Sequence, residues 1–152
     1  MQGATAREVK PEDIGWLAGI IDGEGSILFN KPSKDSFNQI LYGIYIVGAD
    51  LSLLNKCRKI LDQLIDGEGK KYHFYKKNYK KGLVKSNKQT YCIQIGRQHS
   101  IRKVLEVILP HLTEKYLKSA RLLNFLQKHT PRKWFREGEV ESYFGFTPVE
   151  TK

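Results

Sequence analysis

The chain has 152 residues, about one domain's length, and its 40% hydrophobic and 28% charged composition is that of a globular protein with a core of its own. Its 26 Lys plus Arg against 16 Asp plus Glu give a formal charge of +10 and a pI near 9.6, which favours a nucleic-acid partner and gives no sign of a small-molecule substrate. No apolar run reaches the ~20 residues of a membrane span, no basic amphipathic helix suits an acidic membrane surface, and Cys57 and Cys92 lack zinc-site spacing and read as buried thiols.

The first residues carry no apolar signal-peptide core, so the chain is expected to stay inside a cell, with cytoplasm, nucleoid and organelle not distinguished. Pro11 suits the first turn of a helix over residues 11–23, which Gly23 and Gly25 can end in the left-handed conformation. Two strand-like runs follow, "SILFNK" and "NQILYGIYIV", joined by the polar turn "PSKDSF". Asp50 is a natural N-cap for a helix carrying Leu51, Leu54, Cys57, Ile60, Leu61 and Leu64, which stops at "DGEG". The runs "KYHFYKKN" and "KQTYCIQIGR" make a second strand pair. Ser100 is placed to start a helix with Ile101, Val104, Leu105 and Ile108, ended by Pro110, and Thr113 to cap a last long helix with Tyr116, Ala120, Leu123 and Leu126. The tail from Pro131, with Trp134, Phe135, Tyr143, Phe144 and Phe146, is expected to pack back on the body. No linker-like tract divides the chain, so residues 1–152 read as one α+β domain with an antiparallel sheet, a core over about 11–128 and a C-terminal extension over 129–152. One sheet face must cover the helices, leaving the other free.

The first helix is unusually rich in glycine. Each glycine inside a helix is disfavoured by up to ~1 kcal/mol relative to alanine, yet Gly15, Gly19 and Gly23 recur every fourth residue, flanked by Ala18 and Asp22. Trp16, Leu17, Ile20 and Ile21 point elsewhere, so one narrow stripe of small side chains invites a second helix backbone to come close. Gly15, Ala18, Gly19 and Asp22 are therefore candidates for a helix–helix interface.

Residues 17–25, "LAGIIDGEG", resemble the nine-residue signature of the LAGLIDADG homing endonucleases. Trp16 before it, Ser26 and Ile27 after it and the α-β-β-α-β-β-α order agree with that family over about residues 11–128. The resemblance implies a saddle-shaped sheet lying in the major groove of double-stranded DNA, with two signature helices crossing at a two-fold axis. It also implies an intron-encoded nuclease that leaves double-strand breaks with short 3′ overhangs. Only one copy of the motif occurs here, which in this family means a homodimer, and a symmetric protein mirrors a nearly palindromic site.

A carboxylate at a helix C-terminus meets the partial negative charge of unpaired carbonyls, so Glu24 is disfavoured there unless a cation compensates. A divalent metal held by Glu24, the Gly23 carbonyl and DNA phosphates would neutralise the cluster, and hard oxygen ligands suit Mg²⁺. The resemblance implies the same: Glu24 and Gly23 stand at the signature's eighth and seventh positions, the family's metal carboxylate and backbone oxygen. Such metals activate water and stabilise the leaving oxygen of an in-line displacement at phosphorus. Asp22 is expected to serve structure, by capping or by bonding the partner helix. Lys115, in "PHLTEK", resembles a family lysine that follows a proline-containing turn and polarises solvent or the scissile phosphate. The family's other helper does not map cleanly: Asp50 stands roughly where a glutamine can stand, and Lys56 or Arg58 would have to replace an arginine.

Side chains alternate across a strand, so Ser26, Leu28 and Asn30 face outward in the first strand and Thr90, Cys92 and Gln94 in the fourth, opposite the apolar sets Ile27, Phe29 and Tyr91, Ile93, Ile95. Lys31, Lys34 and Gln39 extend the candidate DNA surface, and Lys76 and Lys77 are candidates for phosphate contact alone. RNA-splicing maturases and regulators share the signature without cutting. Glu24 argues for cutting, since a binding protein has no need of a carboxylate at that helix end. A purely structural dimer would leave the charge and the polar sheet face without a purpose.

Overall fold

A computed structural model describes residues 9–31, 40–67, 69–77, 89–128 and 139–148. Its elements are α1 (Pro11–Glu24), β1 (Gly25–Asn30), β2 (Leu41–Gly48), α2 (Leu51–Leu64), β3 (His73–Lys77), β4 (Thr90–Ile95), α3 (Gln98–Ile108), a 3₁₀ turn (Leu109–His111), α4 (Tyr116–Lys128) and α5 (Glu139–Phe144). This is the expected α+β order. The four strands form one antiparallel sheet in the order β1-β2-β4-β3, and no described helix is long and apolar enough to cross a membrane.

Local chemistry accounts for most boundaries. Pro11 starts α1, with Glu12 and Asp13 in its first turn, where the helix dipole favours acids. Its end differs from the expectation of a left-handed cap: Gly23 is the helix's second-last residue, and Gly25 is extended at φ −90° and ψ 177°. Gly25 is needed for proximity instead. A Cβ there would lie 2.9 Å from the Ile21 carbonyl oxygen and 3.1 Å from that of Tyr45, where helix runs directly into strand. Asp50 caps α2 as expected, accepting from the amides of Ser52 and Leu53. Among the described residues the left-handed glycines are Gly67 and Gly69, after α2, at φ +100° and +95°.

Two helix starts depart from the sequence reading. α3 begins at Gln98, and Ser100 is buried inside it. The α4 region is capped by a carboxylate from far away in sequence, described below, and Thr113 serves as a donor in that arrangement.

Leu17, Ile21, Ile44, Ile46, Ile93 and Leu105, all buried, centre the core between the sheet and the helices. Ala18 belongs to this core as well, so it leaves the list of candidate interface residues. The tail packs back as expected where it is described: Phe144 stacks on Phe29 with centroids 4.2 Å apart, and Tyr143 meets Phe125 edge-on at 5.0 Å. Trp134, Phe135, Lys34 and Gln39 lie outside the described residues. Both cysteines are free and buried, and burial pushes the Cys57 thiol up to about 11, which leaves it inert.

Candidate active site and nucleic-acid surface

The C-terminus of α1 gathers the chemistry. The Gly25 amide donates to the carbonyls of Ile20 and Ile21, and the Lys115 ammonium donates to the main-chain oxygen of Asp22. The next carbonyl along is that of Gly23, followed by the exposed side chain of Glu24. A lysine from the start of α4 thus sits at the negative end of α1, as the dipole favours.

Asp22 positions that lysine. One carboxylate oxygen accepts from the Thr113 amide at 2.9 Å, the Thr113 hydroxyl and the Glu114 amide at 3.3 Å, while the other accepts from the Lys115 amide at 2.8 Å. The Thr113 hydroxyl and these amides hold the Asp22 carboxyl down at about 2. These four bonds hold the side chain against its own chain. It is a cap, as one sequence expectation had it, and its bonds run to residues 113–115 of its own chain.

The face of α1 carrying Gly15, Gly19 and Gly23 is exposed, and a Cβ at any of the three would find nothing within 4 Å. The described residues of their own chain therefore give no packing reason for glycine.

A hard divalent cation needs oxygen donors. Glu24 and the Gly23 carbonyl are of that kind, while among the described residues no three His, Cys, Asp or Glu side chains converge. One chain thus supplies part of a coordination shell and fits such an ion with further oxygens from outside it. The three residues considered for the second helper are engaged elsewhere: Asp50 caps α2, the Lys56 ammonium lies 4.4 Å from the Trp16 ring centre, and the Arg58 guanidinium 4.2 Å from that of Phe74.

On the outward sheet face, Ser26, Tyr45, Gln94 and His73 stand in register across all four strands. Ser26 and Asn30 are exposed, and Leu28, Thr90 and Gln94 are half-buried. Three candidates need correction. Cys92 shares this face but is only 1% exposed, because it is flanked by Val47 and by Tyr75. The neighbouring Cys92 thiol, with partial burial, pushes the Tyr75 phenol up to about 12. Lys76 pairs with Tyr91, on the helix-bearing side, so it cannot share a surface with Lys77, which pairs with Thr90. Lys31 lies on the helix-bearing side too, its ammonium 5.9 Å from the Phe144 ring centre.

Sequence reasoning missed Tyr45, His73 and Tyr75. Tyr45 lies flat over Gly43, where a Cβ would meet its ring at 3.1 Å, and its hydroxyl accepts from the Gln94 amide at 3.4 Å. The period-2 pattern of the second strand, anchored on Ile44 and Ile46, was the available signal.

No known family profile and no curated protein matches the chain. Among solved structures, it is similar to the homing endonuclease I-CvuI in complex with its target in the presence of calcium, with a TM-score of 0.55 and 20% identity over 78% of this chain and 70% of that one. It is similar to I-CvuI in complex with the I-CreI target in the presence of magnesium, the DNA not cleaved, at 0.53 and 20% over the same shares. It is also similar to I-CeuI, a group I intron-encoded homing endonuclease complexed with DNA, at 0.50 and 19% over 79% of this chain and 56% of that one. The chain therefore has the fold of the homing endonucleases, with its LAGLIDADG-like segment on the helix that ends at Glu24.

Proposed function

We propose that this protein is a LAGLIDADG homing endonuclease of the single-motif type: a homodimer that cuts both strands of a long, nearly palindromic DNA site and leaves short 3′ overhangs. The observation that carries the reading is the end of α1, where exposed Glu24 follows the Gly23 carbonyl and the Lys115 ammonium is bound to the Asp22 carbonyl. The open glycine face of the same helix supports the dimer, and the DNA complexes of the structural neighbours support the substrate class.

Glu24 and the Gly23 carbonyl would hold Mg²⁺, which when bound supplies charge neutralisation at the scissile phosphate. Lys115, held by Asp22 O through one N–H, keeps two further donors for solvent or a phosphate oxygen. The outward row Ser26, Tyr45, Gln94 and His73 offers hydroxyl, amide and imidazole groups to base edges, and Lys77 offers charge to a phosphate.

The test is selection of cleaved sites from a randomised duplex library. Cut products that need Mg²⁺, vanish with a chelator and share a nearly palindromic sequence are the expected result. Binding of one sequence without any cutting would instead assign the protein to the regulators that share the signature.

A further inference from the structure

At the β3 edge of the sheet a cleft of about 300 Å³ is lined by Lys70, Lys71, Tyr72, His73, Gln94, Gly96 and Arg97. Its chemistry is one-sided: two lysines, an arginine, a histidine and a glutamine line it, and no Asp or Glu does among the described residues. Asp62 accepts from the Tyr72 hydroxyl at 3.0 Å, and its main-chain oxygen accepts from the Lys71 ammonium at 3.0 Å. Arg97 is fixed in place by donating from Nη1 to the Lys70 carbonyl at 3.0 Å. That approach depends on Gly69, whose Cβ would stand 3.1 Å from the same nitrogen and whose φ of +95° suits glycine. At Gly96 a Cβ would find nothing within 4 Å, so the backbone there is open to close approach.

A guanidinium fork, flanking ammonium groups and a bare stretch of backbone form a receptor for a singly charged, oxygen-rich anion. His73 and Gln94 belong both to this cleft and to the outward row that runs back to Ser26. Three strand spacings separate His73 from Ser26, roughly 14 Å at about 4.8 Å each. The cleft is therefore well away from Glu24.

We infer that this cleft is an anchor for a non-scissile phosphodiester of duplex DNA, seated at the sheet edge while the outward row meets the bases. The inference rests on the proposed DNA-binding function. It assigns to Arg97 and Lys70 a contact that fixes position and strength without reading sequence.

The test is the salt dependence of binding to a labelled duplex, followed by fluorescence anisotropy for wild type, Arg97→Gln, Lys70→Gln and a charge-matched control, Lys118→Gln, on exposed α4. Each cleft variant should lower the slope of log K against log salt by about 1.8, two phosphate contacts of about 0.9 each because the proposed dimer carries two clefts, with circular dichroism unchanged. The control should leave the slope alone. Lys70→Gln preserves the carbonyl that Arg97 bonds, so the result does not hinge on the loop surviving loss of the guanidinium. Cleft variants no different from the control would overturn this inference and leave the proposed function intact. A wild type that binds no duplex would overturn both. Titration with inorganic phosphate separates the remaining source: saturable amide shifts at Gly96 and Arg97, lost in Arg97→Gln while the DNA slope stays unchanged, would make the cleft a small-anion site and overturn the assignment to DNA.

Discussion

Asp22 and Glu24 stand two residues apart on one helix and serve opposite ends. Asp22 is consumed by four hydrogen bonds to residues 113–115, while Glu24 is left exposed with no such partner among the described residues. Replacing Asp22 by Ala should cost about 1–2 kcal/mol, the worth of a strong helix cap. Its folded carboxyl titrates at about 2 against 3.8 for the free group, so the stabilisation is fully present above about pH 4 and lost as pH falls through 2. The urea-unfolding midpoints of wild type and Asp22→Ala should therefore differ at neutral pH and converge towards pH 2; a gap that ignores pH would contradict the cap. Removing the Glu24 charge should act on chemistry alone. Glu24→Gln is expected to lose all cleavage and keep site-specific binding, measured by gel shift beside a cutting assay, because the sheet contacts are untouched.

At the scale of elements, one glycine within α1 and one where it runs into β1 should respond to substitution with opposite sign. Gly25→Ala pushes a Cβ into main-chain atoms of α1 and β2, which cannot swing away as a side-chain end can, and should destabilise the fold by about 1–3 kcal/mol. Gly19 faces open space, so an Ala there should stabilise an isolated chain by ~0.5–1 kcal/mol through helix propensity. If that face is the dimer contact, Gly19→Leu will be folded by circular dichroism, monomeric in sedimentation and unable to cut both strands. A dimeric, fully active Gly19→Leu would remove the helix crossing from the account. The same scale explains what the sequence could reveal. β1 alternates because one face is buried, and β4 follows the expected faces except that Cys92, on the outward side, is buried like its inward neighbour Ile93. β3 is an edge strand whose Lys76 and Lys77 are both exposed, so composition carried no sign of which face each lysine takes; only its register with β4 does. The α4 boundary was hidden for a different reason. Its cap comes from Asp22, 91 residues from Thr113, and local capping rules cannot see it.

For the whole molecule, the +10 charge and the polar outward face were legible from composition and alternation, while the cleft at the β3 edge was not, since it is assembled from the turn after α2, β3, β4 and the residues after it. Binding to DNA should fall steeply with added salt as phosphate counterions are displaced; a flat profile in an anisotropy titration would contradict phosphate contact by the basic surface. The most direct test is made on a site recovered from the library: double-strand cutting by the wild-type protein and by Glu24→Gln in Mg²⁺, with binding measured in parallel. Complete, chelator-sensitive cutting by the wild type and bound but intact DNA with Glu24→Gln is the expected result. Equal cutting by the two proteins would contradict the assignment of the active site to the end of α1.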